Sequence, residues 1–108
     1  MLYRRFGRTN LSIPILSLGG MRFQKSWDQL DFSEISSQDQ NKVENILNLA
    51  DKYGLNHVET AKYYGTSEVQ LGMGFTNTKK IPKIIQTKIP PNSAPEIFER
   101  DVMASIEK

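Results

Sequence analysis

Three short apolar runs punctuate the chain: ILSLGG (15–20), LNHVETA (55–61) and IIQTKI (84–89). The segments between them have helical rather than alternating periodicity, and that order leaves few folds open. Strands separated by helix-length crossovers lie parallel in one sheet, with the helices packed against it. The first crossover helix is expected over about 38–53, where Val43, Ile46, Leu47, Leu49 and Ala50 make an apolar stripe and Gly54 supplies the stop. A second, shorter helix runs through Val69, Leu71 and Met73, with Ser67 as its cap and Glu68 in its first turn. TNTKKIPK (76–83) is a turn-rich connector. A third helix is capped by Ser93, with Glu96 completing a capping box and Ile97, Phe98, Val102 and Ile106 as its apolar positions. Ahead of the first run, LYRRFGRTNLSIP (2–14) has Gly7-Arg8-Thr9-Asn10 at its centre and predicts a β-hairpin. The expected class is therefore α/β, a hairpin followed by β-α-β-α-β-α.

Two features depart from a plain parallel sheet. Residues 22–40 are polar and irregular, interrupted by Phe23, Trp27, Leu30 and Phe32. Ordinary βα loops run to about 2–6 residues, so this segment is either a lid or partner surface or a loop packed on its own side chains. The second departure is charge in the strands. A parallel strand buried on both faces is nearly all apolar, yet Glu59 and Lys88 stand near the C-terminal ends of two neighbouring ones. Side chains alternate along a strand, so His57 and Glu59 share one face, opposite Val58 and Thr60. Gln86 and Lys88 likewise share a face, opposite Ile85 and Thr87. Glu59 and Lys88 can then pair across adjacent strands, at the end of the sheet where α/β folds carry their active sites.

Composition narrows the function classes. Lys and Arg number 14 against 12 Asp and Glu, and only Arg4, Arg5 and Arg8 cluster, so no dedicated nucleic-acid face is indicated. The absence of cysteine excludes a disulfide scaffold and a thiolate metal site within these residues and is compatible with a cytoplasmic location. No apolar run is long enough to span a bilayer, and no metal site is expected.

Tyr64 follows the Glu59 strand, in the loop at the same end of the sheet. A phenol titrates near pH 10, about three units too high for efficient proton transfer at neutral pH without help. A neighbouring ammonium favours the phenolate. Lys88 can supply that charge, and Glu59 can hold Lys88 in place. A tyrosine tuned in this way is a sensible general acid for reducing a carbonyl.

ETAKYYGTSEVQLG (59–72) resembles the signature of the aldo-keto reductase family: an acidic residue, Thr and Ala, two variable positions, Tyr-Gly, then Ser-Glu and Leu-Gly. RRFGRTNLSIPILSLGGMRF (4–23) is similar to the family's hairpin and first barrel strand, and IIQTKI to the strand bearing its lysine. The resemblance implies that residues 1–108 are the N-terminal part of a (β/α)8 TIM-barrel oxidoreductase domain. It implies hydride transfer between NADPH and a small carbonyl or alcohol substrate. Carried over by position, Tyr64 is the catalytic acid, Lys88 its cation and Glu59 the acidic member. Gly20, Met21 and Arg22 match positions near the nicotinamide. The family usually has Asp where Glu59 stands, and its fourth catalytic residue, a histidine on the next strand, is not in this chain; His57 is not its equivalent by position. The HVETA variant is similar to a bacterial branch that often carries a C-terminal ferredoxin-like iron–sulfur region.

Duller readings stand beside these. Gly19-Gly20 can be a tight turn, His57 a satisfied interior residue, Tyr63 packing, and Ser67 with Glu68 a helix cap. The chain as a whole can be a non-catalytic, cofactor-sensing or regulatory subunit, or an inactive truncated product. No stop signal follows Lys108, so a longer protein is expected, and these residues alone are expected neither to turn over nor to hold the cofactor tightly.

Overall fold

The structure is a computed structural model that describes residues 1–79, 82, 84–91 and 94–108. Strands β1 (Tyr3–Arg5) and β2 (Ser12–Pro14) form the expected antiparallel hairpin, and β3 (Leu18–Gly19), β4 (His57–Glu59) and β5 (Ile84–Gln86) form a parallel sheet in that order. Helices α1 (Ser37–Lys52), α2 (Ser67–Thr78) and α3 (Pro95–Ile106) complete the alternation. The strands are shorter than the apolar runs that predict them. Pairing nonetheless continues past β4 and β5, because Thr60 N donates to Gln86 O at 2.7 Å and Lys62 N to Lys88 O at 3.0 Å. Those two bonds bring the loops beyond the strands into register.

One face of the sheet is packed and the other is open. Val58, on the packed face, joins Phe23, Val43, Leu47 and Leu71 in the core, with Leu18 and Phe75 at its margin. Val43, Leu47 and Ala50 recur at helical spacing along α1, and α2 brings Leu71 alongside. The predicted α1 stripe is broader than the buried one: Ile46 and Leu49 are exposed, since the sheet and α2 cover only the Val43–Leu47 side. Ile85 pairs with Val58 and belongs to the packed face, yet it is exposed because β5 is the edge strand.

Helix starts differ from expectation in two places. Thr66, not Ser67, occupies the N-cap position of α2, and Ser67 is its first helical residue. For α3 the predicted cap, Ser93, lies outside the described residues; the helix opens at Ala94, with Pro95 at its first position, where proline loses nothing because that N–H has no partner in the helix.

The long loop before α1 is an ordered strap. Phe23 and Ile35 bury at its two ends. Between them Lys25 N donates to Thr66 Oγ1 at 2.8 Å, and Gln29 Nε2 to Lys62 O at 2.6 Å. Trp27 and Phe32 remain exposed. The strap is also tied to α1, where Ser36 caps the helix by accepting from Asp39 N and Lys25 and Lys42 both reach the Asp39 carboxylate.

Hydrogen bonds from Ser36, then from Lys42, with a smaller contribution from Lys25, hold the Asp39 carboxyl down at about 2, against an ordinary 3.8. A carboxylate that titrates lower in the folded state stabilises it above the unfolded pKa. The Asp39 contribution should therefore be complete above about pH 4 and lost as pH falls through about 2. Urea unfolding of the wild type and Asp39→Asn across this range should show a difference that closes on acidification. A gap that stays constant would mean that ionisation of Asp39 does not stabilise the fold.

Candidate active site

Where β4 gives way to its following loop, the chain must turn sharply towards α2. Tyr64 N donates to Ala61 O and Ser67 N to Tyr64 O, two successive tight turns, and Gly65, inside the second, sits at φ +50°. L-residues with a side chain occupy that region at a cost of roughly 1–2 kcal/mol. A side chain at Gly65 would also run into the Ser26 carbonyl of the strap. Glycine here lets the strap lie directly on the turn that presents Tyr64.

On the open face the structure brings together the three side chains singled out by the sequence. Lys88 Nζ forms an ion pair with Glu59 Oε1 and donates to Thr60 O at 3.1 Å. The same ammonium lies 4.6 Å from the centroid of the Tyr64 ring, within range of a cation–π attraction. Lys88 thus touches the carboxylate on β4, the backbone just beyond it and the aromatic ring on the following loop. The pair is only partly shielded, with 46% of the Lys88 side chain and 27% of the Glu59 side chain exposed. Glu59, one methylene longer than an aspartate, reaches the lysine.

The remaining sequence candidates lie in different surroundings. Gly20 is enclosed: its N–H donates to Glu59 O at 2.7 Å, and a Cβ there would lie 2.8 Å from Ser67 Oγ and 3.1 Å from Glu59 O. Close packing accounts for that glycine. Met21 and Arg22 are exposed just beyond it. His57 is half-buried and shares a 2.7 Å hydrogen bond with Ser17 Oγ through Nδ1. Tyr63, read from the sequence as packing, is instead 65% exposed; it is the ring of Tyr64 that lies against the Lys88 ammonium.

Sequence reasoning missed the buried polar layer beneath this site. Thr60, Thr66, Ser67, Glu68 and Gln70 are all buried. Ser67 and Glu68 were readable as a cap, yet their side chains reach the strand ends instead. The run of small hydroxyls just before an apolar helix was the available signal.

Among the described residues no group of three metal-ligating side chains comes together, and no helix is long and apolar enough to cross a membrane. No curated protein matches this chain. Among solved structures, one assigned to the aldo-keto reductases from Pseudomonas aeruginosa superimposes with a TM-score of 0.75 at 26% identity, over 98% of this chain and 42% of that one. A thermostable aldo-keto reductase crystallised with the inhibitor epalrestat aligns with a TM-score of 0.69 at 26% identity, over 99% of this chain and 38% of that one. The chain therefore spans about two fifths of the length of these structures and folds as part of their (β/α)8 barrel. Residues 15–108 match the sequence profile of the aldo/keto reductase family. That match covers most of the sequence, and the chain belongs to the aldo/keto reductase family.

Proposed function

We propose that this chain is the N-terminal part of a cytoplasmic, NADP(H)-dependent oxidoreductase domain that reduces a small carbonyl compound, with Tyr64 as the acid, Lys88 as its cation and Glu59 as the anchor of that cation. The observation that carries this reading is the position of the Lys88 ammonium, paired with Glu59 and 4.6 Å from the Tyr64 ring centroid. A bound nicotinamide supplies a hydride to the carbonyl carbon. The residues here fit the reacting end of such a cofactor. A hydroxyl acid and a cation share an open face, and a Cβ at Gly19 would point toward Glu59 Oε2, 3.9 Å away, so glycine leaves the floor beside the carboxylate clear. Met21 and Arg22 stand exposed next to that floor and would border the nicotinamide.

In the proton half of the reaction, the Tyr64 hydroxyl gives its proton to the carbonyl oxygen as negative charge develops there. The Lys88 charge favours the phenolate that remains, because an ammonium beside an anion lowers the free energy of the charged form. Glu59 limits where the flexible lysine stem can swing. Its second neighbour, the Thr60 carbonyl, accepts another of the three ammonium hydrogens, which leaves one for the phenol.

The test is single-turnover hydride transfer from NADPH to small aldehydes in the intact barrel protein, comparing Glu59→Gln with Glu59→Asp. Loss of the negative charge should slow transfer by about tenfold or more, equivalent to at least ~1.4 kcal/mol of barrier. The aspartate should retain most of the rate. Equal rates for wild type and Glu59→Gln would remove Glu59 from the assignment, and an absence of NADPH oxidation with every aldehyde would remove the function itself. The bacterial branch with a C-terminal iron–sulfur region belongs to the same proposal. Its check is the absorption and iron content of the intact protein.

A further inference from the structure

We infer that Glu68 and Ser67, in the first turn of α2, act as positioning residues that lock the ends of all three parallel strands, and that the Glu68–Thr87 bond sets the direction in which Lys88 points. The inference rests on the catalytic reading of Lys88 given above. It starts from a buried charge. Only 4% of the Glu68 side chain is exposed, and a carboxylate withdrawn from water is strongly destabilising unless its oxygens are satisfied. Thr87 Oγ1 donates to Glu68 Oε1 at 2.6 Å. Lys108 Nζ reaches Oε2 at 2.9 Å and Ser105 Oγ at 3.2 Å. Two of these partners come from the end of α3 and just beyond it. Thr87 is different, because it lies between β5 and Lys88.

Ser67, with no exposed surface, serves the other two strands. Its hydroxyl donates to Gly20 O at 2.9 Å and shares a 2.8 Å hydrogen bond with Thr60 Oγ1. Gly20 follows β3, Thr60 follows Glu59 and Thr87 precedes Lys88. Two adjacent side chains of one helical turn therefore grip each strand at the residue next to a candidate site position. Adjacent residues on extended chain face opposite ways. Holding Thr87 towards α2 directs Lys88 to the open face, and holding Thr60 does the same for Glu59. A helix cap would need only backbone amides as partners. Here neither side chain is spent on the helix; both reach across to the sheet.

Thr87→Val tests this with little change of shape, removing the hydroxyl and leaving Glu68 its Ser105 and Lys108 partners. In the intact barrel protein, single-turnover hydride transfer should fall by about 10- to 100-fold, the scale expected when a reacting group is displaced by roughly an ångström. Cofactor and substrate affinities should be retained, and Thr87→Ser should restore the rate. Adding Glu68→Gln to Thr87→Val should cost less than Glu68→Gln alone, since the two residues share one bond. A readout independent of turnover is reductive methylation of Lys88 in cofactor-free protein, followed by mass spectrometry; Thr87→Val should accelerate it severalfold. Wild-type rate and wild-type labelling in Thr87→Val would overturn the inference. If Tyr64→Phe kept full activity, the catalytic reading would fail instead, and Lys88 labelling alone would then decide whether Thr87 positions the lysine.

Discussion

Tyr64→Phe in the intact protein should slow carbonyl reduction by about 10²–10⁴-fold, the usual worth of a positioned general acid, while NADPH affinity stays close to wild type. The substitution removes one oxygen and keeps the ring. The cation–π contact with Lys88 can therefore persist, and with it the packing of the loop. Tyr63→Phe is the internal control. Its ring is 65% exposed, and among the described residues no ring contact with Lys88 involves it. Its loss of a hydroxyl should leave the rate within about twofold, a change of roughly 0.4 kcal/mol. Single-turnover transfer measured beside a cofactor titration separates the two variants. Were Tyr63→Phe the inactive one, the proton donor would have been assigned to the wrong residue.

The second large effect is expected at Gly65, which has no side chain of its own but directly follows Tyr64. Gly65→Ala must hold a side chain at φ +50°, costing roughly 1–2 kcal/mol. It must also push its new methyl into the Ser26 carbonyl, and backbone cannot yield as a flexible side chain can. Overpacking of that kind adds about 1–3 kcal/mol. Relief is available only by lifting the strap, which would break the Lys25–Thr66 and Gln29–Lys62 bonds. The thermal midpoint should drop, and limited proteolysis should open new cleavage sites within residues 22–36. A variant with unchanged midpoint and an uncut strap would show that the turn and strap are not in firm contact.

The parallel sheet was legible because three apolar runs and two intervening helical periods leave few folds open, and the resemblance to a (β/α)8 barrel supplied the strand order. The pairing of Glu59 with Lys88 was legible for the same reason that the strands were: a period of two fixes which face a side chain takes. Other features depended on what lies opposite. Ile46 and Leu49 fit the α1 stripe by spacing, but the breadth of the covering surface decides which members of a stripe are buried. Ile85 is apolar and correctly phased, yet an edge strand leaves it uncovered. The strap was ambiguous because two of its contacts with the Tyr64 turn use its own main chain, the Lys25 N–H and the Ser26 carbonyl, and main-chain contacts leave no trace in residue type. Ser67 and Glu68 satisfied a capping pattern that is chemically identical, in sequence, to a pattern that reaches across to a sheet.

The candidate acid, its cation and the carboxylate that anchors the cation all belong to one strand–helix–strand unit, β4-α2-β5. A single crossover between adjacent parallel strands is the shortest connection such a sheet allows, and so closes its smallest loop. The relation among Tyr64, Lys88 and Glu59 can then be established while a barrel is still incomplete, before any closing strand pairs. The reactive geometry would be a product of local folding, and later strands would inherit it, adding walls, affinity and choice of substrate around a centre already set.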